Sequence, residues 1–156
     1  MYPHTIDNGH GERMTFLGIE GDRLRIQSTV DPGAGPPMHV HHLESETVRV
    51  RSGRIGIEVR PPHNMEYFLT QIYASTAAHG GRPEAFDAAF LLTRYRSEFA
   101  MTAIPAPIRR IVFPIQARLG RLLGRYPQYA DAPAPVKPIV SATLPGRTTS
   151  ARSSAG

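Results

Sequence analysis

The chain has no cysteine. That excludes structural disulfides, thiolate metal sites and cysteine nucleophiles. It has no apolar run long enough to span a bilayer. Its opening, MYPHTIDNGHGERM, has no basic start followed by an apolar stretch, so it does not read as a secretory signal. There is no Gly-x-Ser-x-Gly elbow, which removes the Ser-His-Asp hydrolases that use one. There is also no phosphate loop and no dinucleotide fingerprint. These absences lead to the expectation of a soluble, cytoplasmic protein.

What is present fits one domain. The 156 residues include 15 Pro and 14 Gly, a content that argues for many turns and an unstructured tail. Hydrophobic residues make up 40% of the chain, enough for a core over part of it. The net charge is +5, which permits contact with nucleic acid or an anionic membrane without requiring either.

The first sixty residues read as strands and turns. Met14–Glu20 precedes the turn pair Gly21-Asp22, and Leu24–Val30 alternates apolar with polar residues. Asp31–Pro37 (DPGAGPP) reads as a loop. Thr47–Arg51 and Ile55–Val59 alternate again around Ser52-Gly53, which predicts a hairpin. Beyond Pro61-Pro62 the spacing turns helical, with candidates at Tyr67–Ser75, Glu84–Phe99 and Pro105–Tyr126. Strands followed by helices predict an α+β protein with an antiparallel β unit.

The chemistry concentrates at His39-Val40-His41-His42-Leu43-Glu44-Ser45-Glu46. On a strand His39 and His41 face the same side. Two imidazoles and a nearby carboxylate are good ligands for a divalent metal. Glu46 has the opposite parity, so the three converge only if the pleat breaks between His41 and Glu46. For a bare His-x-His the plainer reading is a solvated loop. Here the surroundings add Gly33 six residues before His39 and Gly53 seven after Glu46.

The full pattern G-x5-HxH-x4-E-x6-G is met at every fixed position over residues 33–53. It resembles the first motif of the cupin superfamily, in its single-domain cupin-2 type. The resemblance implies a small antiparallel β-barrel holding Fe, Mn, Ni, Zn or Cu, with His39, His41 and Glu46 as ligands. Family members include dioxygenases, isomerases, decarboxylases, storage proteins and ligand-binding regulators, so fold alone leaves the reaction open.

The family's second motif is absent. Gly56 and Pro62 match its first elements, but Asn64 stands where Gly is required and Tyr67 where His is required. The expected architecture is therefore a partial cupin-like antiparallel β-barrel, a jelly-roll half, followed by two to three helices and a disordered tail. The expected divisions are 1–62 for the β region, 63–130 for a helical extension packing on it, and 131–156 for the tail.

A half-barrel leaves one sheet edge open and one face without a partner, to be covered by the helices or by a second copy. The expectation is a homo-oligomer such as a dimer. A metal here would have three protein ligands and stay open to water. His63, just past the last strand, is the candidate stand-in for the lost ligand, although the plainer reading makes it an exposed loop histidine. The functional expectation is divalent-metal binding, in a metal-dependent small-molecule enzyme or a degenerate relative of one. The alternative is a non-catalytic ligand-binding or self-association module.

Ile108, Ile111, Val112, Ile115, Leu119, Leu122 and Leu123 fall on one helical stripe, flanked by Arg109, Arg110, Arg118, Arg121 and Arg125. Pro114 must kink or divide this segment. Such a helix can lie on an anionic membrane. The ordinary reading, placed ahead of it, has the stripe covering the open sheet or pairing with another subunit. Nucleic-acid binding is disfavoured, because no reader motif and no interleaved aromatics accompany the arginines. Arg94, Tyr95, Arg96, Glu98 and Phe99 have no assignable chemistry and read as a solvated helix face.

Overall fold

Alternation of apolar and polar residues builds most of the sheet. The computed structural model describes residues 1–51 and 54–138. Among these residues seven strands form: β1 (His4–Asp7), β2 (Glu12–Glu20), β3 (Arg23–Val30), β4 (His39–His41), β5 (Ser45–Arg51), β6 (Arg54–Arg60) and β7 (Phe99–Met101). Three helices follow β6, namely α1 (Met65–Ala78), α2 (Ala85–Arg94) and α3 (Phe113–Leu122), with β7 between α2 and α3. Five strands make an antiparallel sheet in the order β1-β2-β3-β6-β5, and β4 and β7 pair as a separate two-stranded sheet. Neither sheet closes into a barrel. The expected hairpin turn at Ser52-Gly53 lies outside the described residues.

The inner face of the large sheet carries Met14, Phe16, Leu24, Ile26 and Val59, each at most 3% exposed. Registers Leu24↔Val59 and Ile26↔Ile57 bring the apolar parities of β3 and β6 together. Met65, Phe68 and Tyr73 of α1 and Phe90 and Leu91 of α2 pack on that face, joined by Tyr95 and Phe99. Helices thus cover much of the face that a closed barrel would cover with strands. Coverage stops at β5, where Val48 and Val50 share the inner parity with Glu46 yet are 55% and 73% exposed.

The structure changes several sequence-based expectations. Residues 84–99 are not one helix: α2 ends at Arg94, and Phe99–Met101 become β7. The segment read as a solvated helix face is mostly interior, with Tyr95 and Glu98 at 0% exposure and Phe99 at 3%. The expected unstructured tail is held as far as Val136. Arg94 donates to the carbonyls of Ala132 and Pro133, Ser97 donates to that of Val136, and the Val136 amide donates to Glu98. Residues 139–156 of that expected tail lie outside the described residues.

The third helical segment is divided as Pro114 requires. A π-helical turn at Ile108–Val112 leads into α3, and the Phe113 amide bonds to the Ile108 carbonyl. The widened turn stands directly before the residue that cannot donate. The stripe does not cover the sheet. Ile108, Ile111, Val112, Ile115, Leu119, Leu122 and Leu123 are all exposed, whereas Ala117 and Gly120 make the close contact with the body. Among the described residues, no helix is long and apolar enough to cross a membrane.

Candidate metal centre

His39 and His41 lie on β4, and period-two alternation aims both rings to one side. β4 is held by β7 in the registers His39↔Met101, Val40↔Ala100 and His41↔Phe99. After His41 the strand breaks at His42–Glu44 and the chain re-enters the large sheet as β5. That break reverses the parity, as convergence requires. Glu46, across from Val59 on the inner face, turns back toward the two rings. The Glu46 Oε2 atom is 3.3 Å from His41 Nε2 and 3.9 Å from His39 Nε2. The imidazole centroids are 5.0 Å apart, with the rings inclined at 66°.

One donor atom from each of His39, His41 and Glu46 lies within 4.8 Å of the other two. The His39 Nδ1 atom is 2.9 Å from the Pro37 carbonyl. A proton on Nδ1 donated to that carbonyl leaves Nε2 with its lone pair toward the cluster, the arrangement metal-binding histidines use.

His41 has an acid on each side. Its Nδ1 atom is 3.6 Å from Glu44 Oε2, and the Glu44 side chain is completely buried. The contact is an ion pair beyond hydrogen-bond length. Glu44 and Glu46 together push the His41 pKa up to about 9, against the opposing effect of burial. In turn His41, aided by His39, holds the Glu46 carboxyl below its ordinary value while burial opposes them. Both ring nitrogens of His41 and both carboxylate oxygens of Glu44 are buried without a hydrogen-bond partner. Four such atoms at one place are costly unless something charged draws them together.

Two nitrogens and one carboxylate oxygen, converging with both exposed and buried sides, fit a divalent transition metal. The donor set lacks thiolate and is too nitrogen-rich for a calcium or magnesium preference. Glu46 and both histidines are partly exposed, and Val48 and Val50 on the same face of β5 as Glu46 are exposed too.

His63 does not join this group. It is exposed, sits at φ 38°, and lines a surface hollow with His4, Glu66 and Tyr67 at the entry to α1. The loop-histidine reading fits its place. Sequence reasoning missed two acids. Glu44 lies three residues after His41, a spacing that can bring it back to the ring once the chain turns. Glu12 of β2 is 2% exposed, and burial raises its pKa, opposed by Tyr73, Ser28 and the charge of His39. A glutamate at an inward parity of β2, in register with Val30, was its available signal.

Against known proteins the chain matches no family model, no curated protein and no solved structure.

Proposed function

We propose that the chain is a reduced cupin-type protein that binds one divalent transition metal through His39, His41 and Glu46. The observation that carries this reading is the convergence of three ligand atoms within 4.8 Å from two different sheets. It is joined by the motif at residues 33–53, whose resemblance to the first cupin motif implies the same three residues as ligands. The β1-β2-β3-β6-β5 sheet is, in this reading, half of a jelly roll whose second half is replaced by helices and β7.

Each side chain has a part in the site. His39, fixed through Nδ1 on the Pro37 carbonyl, offers Nε2. His41 offers Nε2, with Glu44 behind it setting the ring's orientation and raising its basicity. Glu46 supplies the anionic ligand and closes the gap between the sheets. A bound metal would supply Lewis acidity to a small organic molecule at its open positions. The exposed Val48 and Val50 give the apolar part of such a molecule a place to rest beside Glu46. Metal-dependent chemistry on a small organic molecule is the function class this ligand set serves.

Calorimetric titration of metal-free protein with Zn2+, Ni2+ and Mn2+ tests the reading. It predicts one site per chain for at least one metal, with affinity reduced at least about a hundredfold by His41→Ala, beyond the usual effect of losing an outer partner. Unchanged affinity in the variant would remove the assignment.

A further inference from the structure

A second surface stands apart from the metal cluster. From Ile108 to Leu123 the chain presents three faces. One is small and faces inward, with Ala117 and Gly120 buried against α2. The packing is so close that a Cβ on Gly120 would lie 2.2 Å from the Tyr126 hydroxyl and 2.9 Å from a ring carbon of Phe86. The second face is apolar and points outward: Ile111 58%, Ile115 59%, Leu122 85% and Leu123 60% exposed, with Ile108, Val112 and Leu119 between them. The third is cationic, with Arg110 and Arg118 exposed; Arg121 and, just past the stripe, Arg125 flank it while standing over the Phe90 and Phe86 rings of α2 at 6.0 and 5.1 Å.

Seven large aliphatic side chains in one exposed stripe exceed what a free surface ordinarily carries. The charge beside the stripe decides what covers it. Residues 99–130 contain five arginines and no acid. Among the described residues, Arg110, Arg118 and Arg121 have no carboxylate within ion-pair distance, and Arg125 alone meets one, Glu84 at 3.5 Å. A second copy laid on the stripe would bring two all-arginine margins together at a cost. An anionic surface meets the same margins with attraction. With about 1.5 Å of rise per residue, the stripe is roughly 24 Å long, and it is far too short and too charged to insert as a span.

We infer that the π turn and α3 form a docking surface for an anionic lipid membrane, on which the helix lies flat with its aliphatic stripe among the acyl chains and its arginines at the headgroups. The surface shares no residue with the metal cluster, so either assignment can fail alone.

The test is sedimentation of the full chain with vesicles of phosphatidylcholine, with and without phosphatidylserine. Binding is expected only with the anionic lipid, and it should weaken as salt is raised. Arg110→Gln/Arg118→Gln should weaken it roughly thirtyfold, given the usual contribution of each basic residue near an anionic surface. Leu119→Asn/Leu122→Asn should weaken it at least about tenfold through lost apolar insertion. These four side chains are exposed, so the variants should keep the wild-type far-ultraviolet circular dichroism, which is checked alongside. No binding to either vesicle, or equal binding to both, overturns the proposal. So does a dimer in light scattering that the leucine variant dissociates while the wild type ignores vesicles, because the stripe then belongs to a second copy.

Discussion

His41 sits between two carboxylates, and its titration follows from that placement. Its pKa is raised to about 9, so in the metal-free protein this interaction contributes fully below the ordinary histidine value and is lost as pH rises through about 9. Glu46 is shifted the opposite way, so its contribution is present above the ordinary glutamate value and is lost as pH falls through its lowered one. A metal bound as proposed would have to displace the proton on His41. Affinity should therefore rise about tenfold per pH unit between pH 7 and 9 and level off above, which titrations at several pH values would measure. A flat profile would mean that His41 is not a ligand. Glu44→Gln keeps the shape and removes the charge behind the ring. It should bring the His41 pKa down, as seen by NMR titration of the imidazole, and above pH 9, where His41 has already lost its proton, it should cost about ten- to a hundredfold in metal affinity.

At this same scale the His39-His41-Glu46 cluster was legible in the sequence. Two-residue spacing placed His39 and His41 on one face, and the parity of Glu46 demanded the break that His42–Glu44 supplies. Glu44 was not legible, because the direction of a side chain in a three-residue break depends on the turn and on what packs against it. His63 follows two prolines and takes a left-handed backbone, so its direction is set by the entry to α1 rather than by β6.

Among the elements, β7 contributes most to the site and was the hardest to foresee. Its three residues continue a helical spacing of aromatics, and Phe99 fits the helix pattern as well as it fits a strand. The helix nonetheless stops, with Tyr95 at φ −97° and its ring in the core, and the chain then extends along β4. Glu98 fixes that turn. Its buried carboxylate accepts from the Asn64 amide, the Asn64 side chain and the Val136 amide, and its carbonyl accepts from His42. Glu98→Ala leaves those donors unmet and should lower stability by about 2 to 4 kcal/mol in urea unfolding. Because β7 supports β4, the same change should weaken metal binding even though Glu98 contributes no ligand. Wild-type affinity in a folded Glu98→Ala protein would contradict that support.

α3 makes its own prediction. Gly120→Ala forces its methyl into Tyr126, which donates to the Phe86 carbonyl at 3.2 Å. The expected cost is about 1 to 3 kcal/mol, read as a lower melting temperature with the metal site intact. The helix itself was legible from its periodicity, and so was its interruption at Pro114. The side it turns to the body was not. The larger apolar stripe would have been the natural choice, yet the small residues Ala117 and Gly120 make the contact, because only they let the two helices approach so closely.

For the whole molecule, the α+β class was legible because strand and helix periodicities occupy separate parts of the chain. The covering of the inner face by α1, α2 and the residues around β7 is a long-range packing that local spacing does not encode. The result is two sheets joined across His39, His41 and Glu46, so a metal there would act as a cross-link between them. Metal at a hundred times its dissociation constant should stabilise the chain by about 2.7 kcal/mol, visible as a raised melting temperature that His39→Ala/His41→Ala abolishes. The most direct measurement is elemental analysis of the purified chain beside that double variant. The account predicts close to one equivalent of a transition metal in the wild type, retained after dialysis, and none in the variant. No metal in either sample, or equal metal in both, would contradict it.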